Sequence, residues 1–231
     1  MPRPKKPSRK KKAPGRTRGT DPRRIRSILA GLDKAYPAAT CELRHRNAFQ
    51  LLVATILSAQ CTDVRVNMVT PGLFAKYPAP VDFTYANPRD IESEIRSTGF
   101  FRNKTKSIIG ASKKLVEDFG GQVPRSMEEL LTLPGVARKT ANVVLGTAYG
   151  IASGVVVDTH MLRLSKRLDL TKQDDPKKVE RDLMQVIPQD RWIQFSHQII
   201  WHGRRVCAAR KPNCAECNLE SVCYSKDKTI G

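Results

Sequence analysis

The sequence predicts an all-α protein, and three observations predict it. A capping side chain stands directly before a proline at Asp21-Pro22, Asn87-Pro88 and Asp175-Pro176, a pairing suited to a helix start. Ser126 and Glu129 have the spacing of a capping box. Apolar residues recur three and four apart in Leu51-Leu52-Thr55-Ile56, Ile108-Ile109-Leu115-Val116 and Trp192-Ile193-Ile199-Ile200, whereas alternation over strand lengths is scarce. These signals imply about ten short helices. No repeat of solenoid period is present, so the helices are expected to pack as globular layers.

Taken in order, residues 1–20 come first. They combine four prolines with nine Lys and Arg residues and no acid, and they hold almost no large apolar side chain. Such a segment cannot offset the entropy of ordering and is expected to be a disordered basic arm. The whole chain carries +19, with a pI near 10.0, and removing those nine charges leaves +10. The folded part should therefore bind polyanions by itself, and nucleic acid is the leading partner class. With no apolar run of about 18 residues and no secretory h-region, the chain is expected to be soluble and intracellular, without a membrane partner. That compartment turns its six cysteines toward metal or catalysis rather than disulfides.

Two segments follow within residues 41–125: Leu57-Ser58-Ala59-Gln60-Cys61-Thr62-Asp63 and Gly99-Phe100-Phe101-Arg102-Asn103-Lys104. Locally read, Gln60 is an amide at a helix end and Phe100 a core aromatic. Residues 126–149 then form a helix-hairpin-helix pattern: a capped helix, Leu133-Pro134-Gly135-Val136-Ala137, and a second helix from Arg138. Pro134 stops the first helix and Gly135 permits the turn. The N–H groups opening the second helix suit a phosphate oxygen. Lys139 lies in that first turn, where the positive end of the helix opposes another cation; it is either one more phosphate contact or an amine able to attack a sugar carbon.

The apolar run Val155-Val156-Val157 ends at Asp158, which reads as the N-cap of a helix through Thr159-His160-Met161-Leu162. An N-cap is usually structural, although a fixed carboxylate can also stabilise a cationic sugar. Cys207, Cys214, Cys217 and Cys223 give C-x6-C-x2-C-x5-C near the C-terminus. Four thiols this close suit tetrahedral zinc or a [4Fe–4S] cluster, and spacing leaves both open. Cys41 and Cys61 fall outside the pattern and read as buried apolar residues.

The string Leu133-Pro134-Gly135-Val136-Ala137-Arg138-Lys139-Thr140-Ala141-Asn142-Val143-Val144-Leu145 closely resembles the hairpin of the endonuclease III family, with alanine at 137 where the usual pattern has glycine. Val157-Asp158-Thr159-His160 resembles the family's catalytic-aspartate motif. Trp201-His202-Gly203-Arg204-Arg205-Val206-Cys207, with Arg210-Lys211-Pro212, resembles its iron–sulfur module. The segment around Gln60 is similar to the family's Leu-Ser-Ala-Gln-x-Thr-Asp, and the segment around Phe100 to its wedge loop. The resemblance spans residues 22–226.

The resemblance implies a two-lobed helix-hairpin-helix glycosylase fold. A six-helix barrel would cover 41–151, and an iron–sulfur cluster domain 21–40 and 152–231. It implies base excision repair: a DNA glycosylase and abasic-site lyase acting on oxidised pyrimidines, with Lys139 as Schiff-base nucleophile and Asp158 as its catalytic carboxylate. Gln60 and Phe100 would fill the space left by an everted nucleotide. Gly135, Ala137, Thr140, His160, Arg210 and Lys211 would contact DNA, and the four cysteines of the C-terminal pattern would hold [4Fe–4S]. The expected partner is duplex DNA with damaged bases or abasic sites, met by a monomer in the cytoplasm and, in a bacterium, at the nucleoid. Two rivals remain: a monofunctional adenine-type glycosylase of the same superfamily, which usually lacks this lysine, and a non-catalytic DNA-binding hairpin protein.

Overall fold

The computed structural model describes residues 19–229. The expected disordered arm lies outside the described residues except for Gly19 and Thr20, which form a turn. Among the described residues there are eleven α-helices, three short 3-10 turns and no strand. In order, the helices are α1 (Pro22–Ala35), α2 (Ala48–Leu57), α3 (Asp63–Lys76), α4 (Pro80–Tyr85), α5 (Pro88–Ile95), α6 (Phe101–Phe119), α7 (Met127–Leu130), α8 (Arg138–Tyr149), α9 (Thr159–Arg167), α10 (Pro176–Val186) and α11 (Trp192–Arg205).

The caps act where the sequence places them. The Asp21 carboxylate accepts from the N–H of Arg23, the Asn87 amide oxygen from Arg89, and Asp175 from Lys178, each ahead of a proline that needs no donor. At α7 the Ser126 hydroxyl oxygen accepts from the Glu129 N–H at 3.2 Å, and the Glu129 carboxylate accepts from that hydroxyl at 2.7 Å. The acid thus returns to the cap side chain, a variant of the expected box.

Apolar spacing becomes two cores. One gathers Leu51, Leu52, Ile56, Phe83, Ile91, Ile108, Leu115 and Leu145 from α2, α4, α5, α6 and α8. The other gathers Ile28, Leu32, Val155, Met161, Leu164, Phe195 and Ile199 from α1, α9, α11 and the segment before α9. From α1 in the second core the chain crosses to build the first and returns through residues 150–158. Truncating a fully buried member such as Leu115 to alanine costs about 2–5 kcal/mol. No helix among the described residues is long and apolar enough to cross a membrane.

Candidate active site

The hairpin is fixed by a close approach. Gly135 has φ +78°, in the region that favours glycine, and a Cβ built there would lie 2.5 Å from the Cβ of Ser107 on α6. The turn is thus seated on α6. Ala137 is the N-cap of α8 and makes no side-chain cap bond, so the first N–H groups of that helix have no intrahelical partner. Gly135, Ala137 and Lys139 are exposed, and Thr140 is half-buried.

Asp158 follows three buried valines and caps α9, its Oδ1 accepting from the Met161 N–H at 2.8 Å. Its carboxylate is thereby held at a fixed angle at the edge of the second core. Lys139 and Asp158 both line an open cavity of about 1680 Å3, together with Gln60, Thr159, His160 and Arg204. A narrower recess holds Lys139 and Asp158 again, with His197 and Trp201 from α11. A residue of the first core's helices and one of the second's therefore meet at one opening. His160 Nδ1 accepts from the Arg163 guanidinium at 3.2 Å, and burial pushes its pKa below the usual histidine value, with Asp158 acting the other way.

Gln60 lies beyond the end of α2 in a left-handed turn with φ +52°, exposed, and so is no longer a helix amide. Phe100 is the left-handed N-cap of α6, with φ +48° and 61% exposure; the local reading of a core aromatic is corrected. Two non-glycine residues in this region are uncommon, and such strain clusters at functional turns. Phe100 does not line the Lys139 cavity, and neither do Gly135, Ala137, Thr140, Arg210 or Lys211. Cys41 and Cys61 are not fully buried apolar residues as expected: both are half-buried and both line that cavity.

Cys207, Cys214, Cys217 and Cys223 surround a separate small cavity. The guanidinium of Arg167 donates to the Cys207 sulfur at 3.2 Å, and His202 Nε2 meets the Cys217 sulfur at 3.4 Å. Burial pushes the Cys217 and Cys223 thiols up, and the neighbouring cysteines add to the shift. Among the described residues the four thiols line one cavity without converging on a point that could hold a single metal ion; the chemistry of an all-sulfur set, with the Arg167 N–H turned toward Cys207, is that of an iron–sulfur site. Arg210 and Lys211 are exposed on this loop, Lys211 with φ +50°.

Sequence reading missed the groups that join the two cores at the site. Arg204 on α11 donates to Asp63 at the start of α3 at 2.8 Å, and it also pairs with Glu42. Buried Glu180 on α10 accepts from Arg138 and Asn142 of α8 at 2.6 and 2.7 Å. A Cβ at Gly154 would lie 2.1 Å from Glu180, so only glycine admits that carboxylate. The signal available for Arg204 and Asp63 was their place inside motif segments; Glu180 had none.

Comparison with known proteins bears on this arrangement. Residues 53–189 match the model for the HhH-GPD superfamily base excision DNA repair protein, a span that includes the hairpin and Asp158 but stops before Cys207. Endonuclease III of Synechocystis sp. is 62% identical, over 87% of this chain and 92% of its own. The chain belongs to the endonuclease III family. Endonuclease III of Bacillus subtilis is 45% identical over 89% of this chain and 94% of its own. A solved structure of a trapped endonuclease III–DNA covalent intermediate superposes with a TM-score of 0.84 at 44% identity, covering 88% of this chain and 96% of that one. The all-helical fold is the helix-hairpin-helix fold of this family.

Proposed function

We propose that the chain is a bifunctional DNA glycosylase and abasic-site lyase that removes oxidised pyrimidines and cuts the strand 3′ to the gap. The observation that carries the reading is that Lys139 on α8 and Asp158 at the cap of α9 line one cavity, beside Gln60 and His160. A covalent endonuclease III–DNA intermediate has been trapped for a relative, and an amine nucleophile accounts for such a bond. The charge of +19 supports a nucleic-acid partner, which we read as damaged duplex DNA met by a monomer in the cytoplasm. The division into a barrel over 41–151 and a cluster lobe over 21–40 and 152–231 is supported by the two cores.

The steps follow from the side chains. N–H groups of the hairpin around Gly135, Ala137 and Thr140 hold a backbone phosphate without reading sequence. Gln60 and Phe100 occupy the gap as the nucleotide leaves the stack. The lone pair of Lys139 Nζ forms a bond to C1′. The C1′–N bond breaks, and its electron pair leaves with the base, which takes up a proton. Asp158 stabilises the positive charge that the sugar develops and receives the proton lost by the amine. Ring opening gives the protonated imine. Loss of a C2′ proton then expels the 3′ phosphate through cleavage of C3′–O, and water releases the enzyme.

Cys207, Cys214, Cys217 and Cys223 would hold a [4Fe–4S] cluster, which when bound supplies a rigid cross-link for the loop bearing Arg210 and Lys211. Native protein should contain about four irons per chain and be coloured; colourless protein with a single zinc overturns this assignment.

A duplex carrying one oxidised pyrimidine tests the function. Base release and a 3′ nick should appear together and both be lost in Lys139→Gln. A monofunctional glycosylase would free the base and leave the strand whole, and a hairpin protein without catalysis would do neither.

A further inference from the structure

Lys104 is 4% exposed, on the second turn of α6, and the chemistry above does not use it. Its ammonium donates to the backbone carbonyl of Leu57 at 2.8 Å and to that of Thr98 at 2.8 Å. Leu57 ends α2, just ahead of the turn that presents Gln60; Thr98 immediately precedes Gly99 and Phe100. Both carbonyls close helical turns, where the next backbone donor is missing. Burial pulls the Lys104 pKa below the usual lysine value, with Cys61 acting the other way. An amine in this setting still donates to both carbonyls after losing its proton.

Both tethered turns carry a non-glycine residue at positive φ, Gln60 at +52° and Phe100 at +48°. Backbone in that region persists only where its surroundings over-determine it. One buried side chain, bonded to the residue before each turn, is such a constraint. We propose that Lys104 is a positioning residue for nucleotide eversion, holding the Gln60 turn and the Phe100 loop at a fixed spacing so that both enter the duplex as a unit. The inference rests on the reading of Gln60 and Phe100 as the residues that fill the vacated stack.

Lys104→Met keeps the length and removes the donors, leaving two buried carbonyls unpaired. Two duplexes separate positioning from general damage: one with an oxidised pyrimidine beside a 2-aminopurine reporter, and one with a tetrahydrofuran abasic analogue, which has no base to evert. In Lys104→Met the fluorescence rise on the first duplex should slow about tenfold, while the Kd for the second stays within about twofold. Lys104→Gln, which keeps a shorter donor, should fall between, and it carries the test if the methionine variant melts below assay temperature. Gln60→Ala and Phe100→Ala should likewise slow the fluorescence rise on the first duplex. Equal losses on both duplexes, or no loss on either, in the Lys104 variants overturn the proposal while the function stands. If the Gln60 and Phe100 variants evert the base at the wild-type rate, their assignment falls and the Lys104 role falls with it.

Discussion

The Nε of Arg138 donates to Oε2 of Glu180 at 2.6 Å, joining the helix that carries Lys139 to a helix packed on the other core. The second Glu180 oxygen accepts from Asn142 at 2.7 Å, and the Ser153 hydroxyl donates to the Asn142 carbonyl oxygen at 2.9 Å. Glu180 is only 5% exposed, so its charge depends on these donors. Arg138 is the residue before Lys139, and the pair therefore sets how the start of α8 faces α9 and Asp158.

Arg138→Ala leaves the Glu180 carboxylate with one donor, a loss of about 3 kcal/mol and about 6–12 °C in Tm. Glu180→Gln should cost less, because the amide still meets Asn142. Thermal melts check the stability; single-turnover nicking at a temperature where both variants are folded should fall more than DNA affinity does.

Gly135→Ala combines a positive φ with a Cβ only 2.5 Å from that of Ser107. The expected destabilisation is about 2–3 kcal/mol. Ser107→Gly in the same chain removes the opposing atoms and should relieve the clash, leaving the backbone strain at 135, about 1 kcal/mol, and the cost of a glycine inside α6, about 0.5 kcal/mol relative to serine. Denaturant unfolding of the two variants measures this directly.

Arg44 and Arg46 are exposed and line one open hollow of about 890 Å3 with Gln50 and Phe74; Arg44 also lines the Lys139 cavity. With Lys139 as the nucleophile, they are expected to neutralise phosphates beside the reacting nucleotide. Arg44→Gln with Arg46→Gln should flatten the plot of log Kd against log salt by about 0.9 for each phosphate that is no longer neutralised. An unchanged slope would mean that these arginines do not touch the backbone.

His197 lines the inner recess, and burial pushes its pKa below the usual 6.5. The folded state therefore binds the proton less readily than the unfolded chain. Below about pH 6.5 the unfolded state takes up the proton first, so this group removes stability as pH falls and removes none above it. His197→Gln should lose less stability than the wild type between neutral pH and about pH 5, measured by urea unfolding at each pH.

Much of the fold was legible because its signals are local. Asp21, Asn87, Ser126, Asp158 and Asp175 cap the helices that begin beside them, and three- and four-residue spacing marks the buried faces. Lys139 and Asp158 could be singled out because each sits in a motif. What was not legible depends on distant partners. Glu180 meets Arg138 only after the chain returns from the first core to the second, and Lys104 reaches back to Leu57 from another helix. In sequence both look like ordinary surface charges, which the +19 background hides. Phe100 was misread locally for a related reason. An aromatic beside helical punctuation resembles core until the left-handed backbone at Gly99 and Phe100 turns it outward.

Borohydride trapping tests the central claim most directly. With duplex carrying an oxidised pyrimidine or an abasic site, reduction should fix a stable covalent adduct whose DNA-modified peptide maps to Lys139, and Lys139→Gln should yield none while still binding the duplex. An adduct of undiminished yield in that variant, or one mapped to another amine in the wild type, would contradict the account.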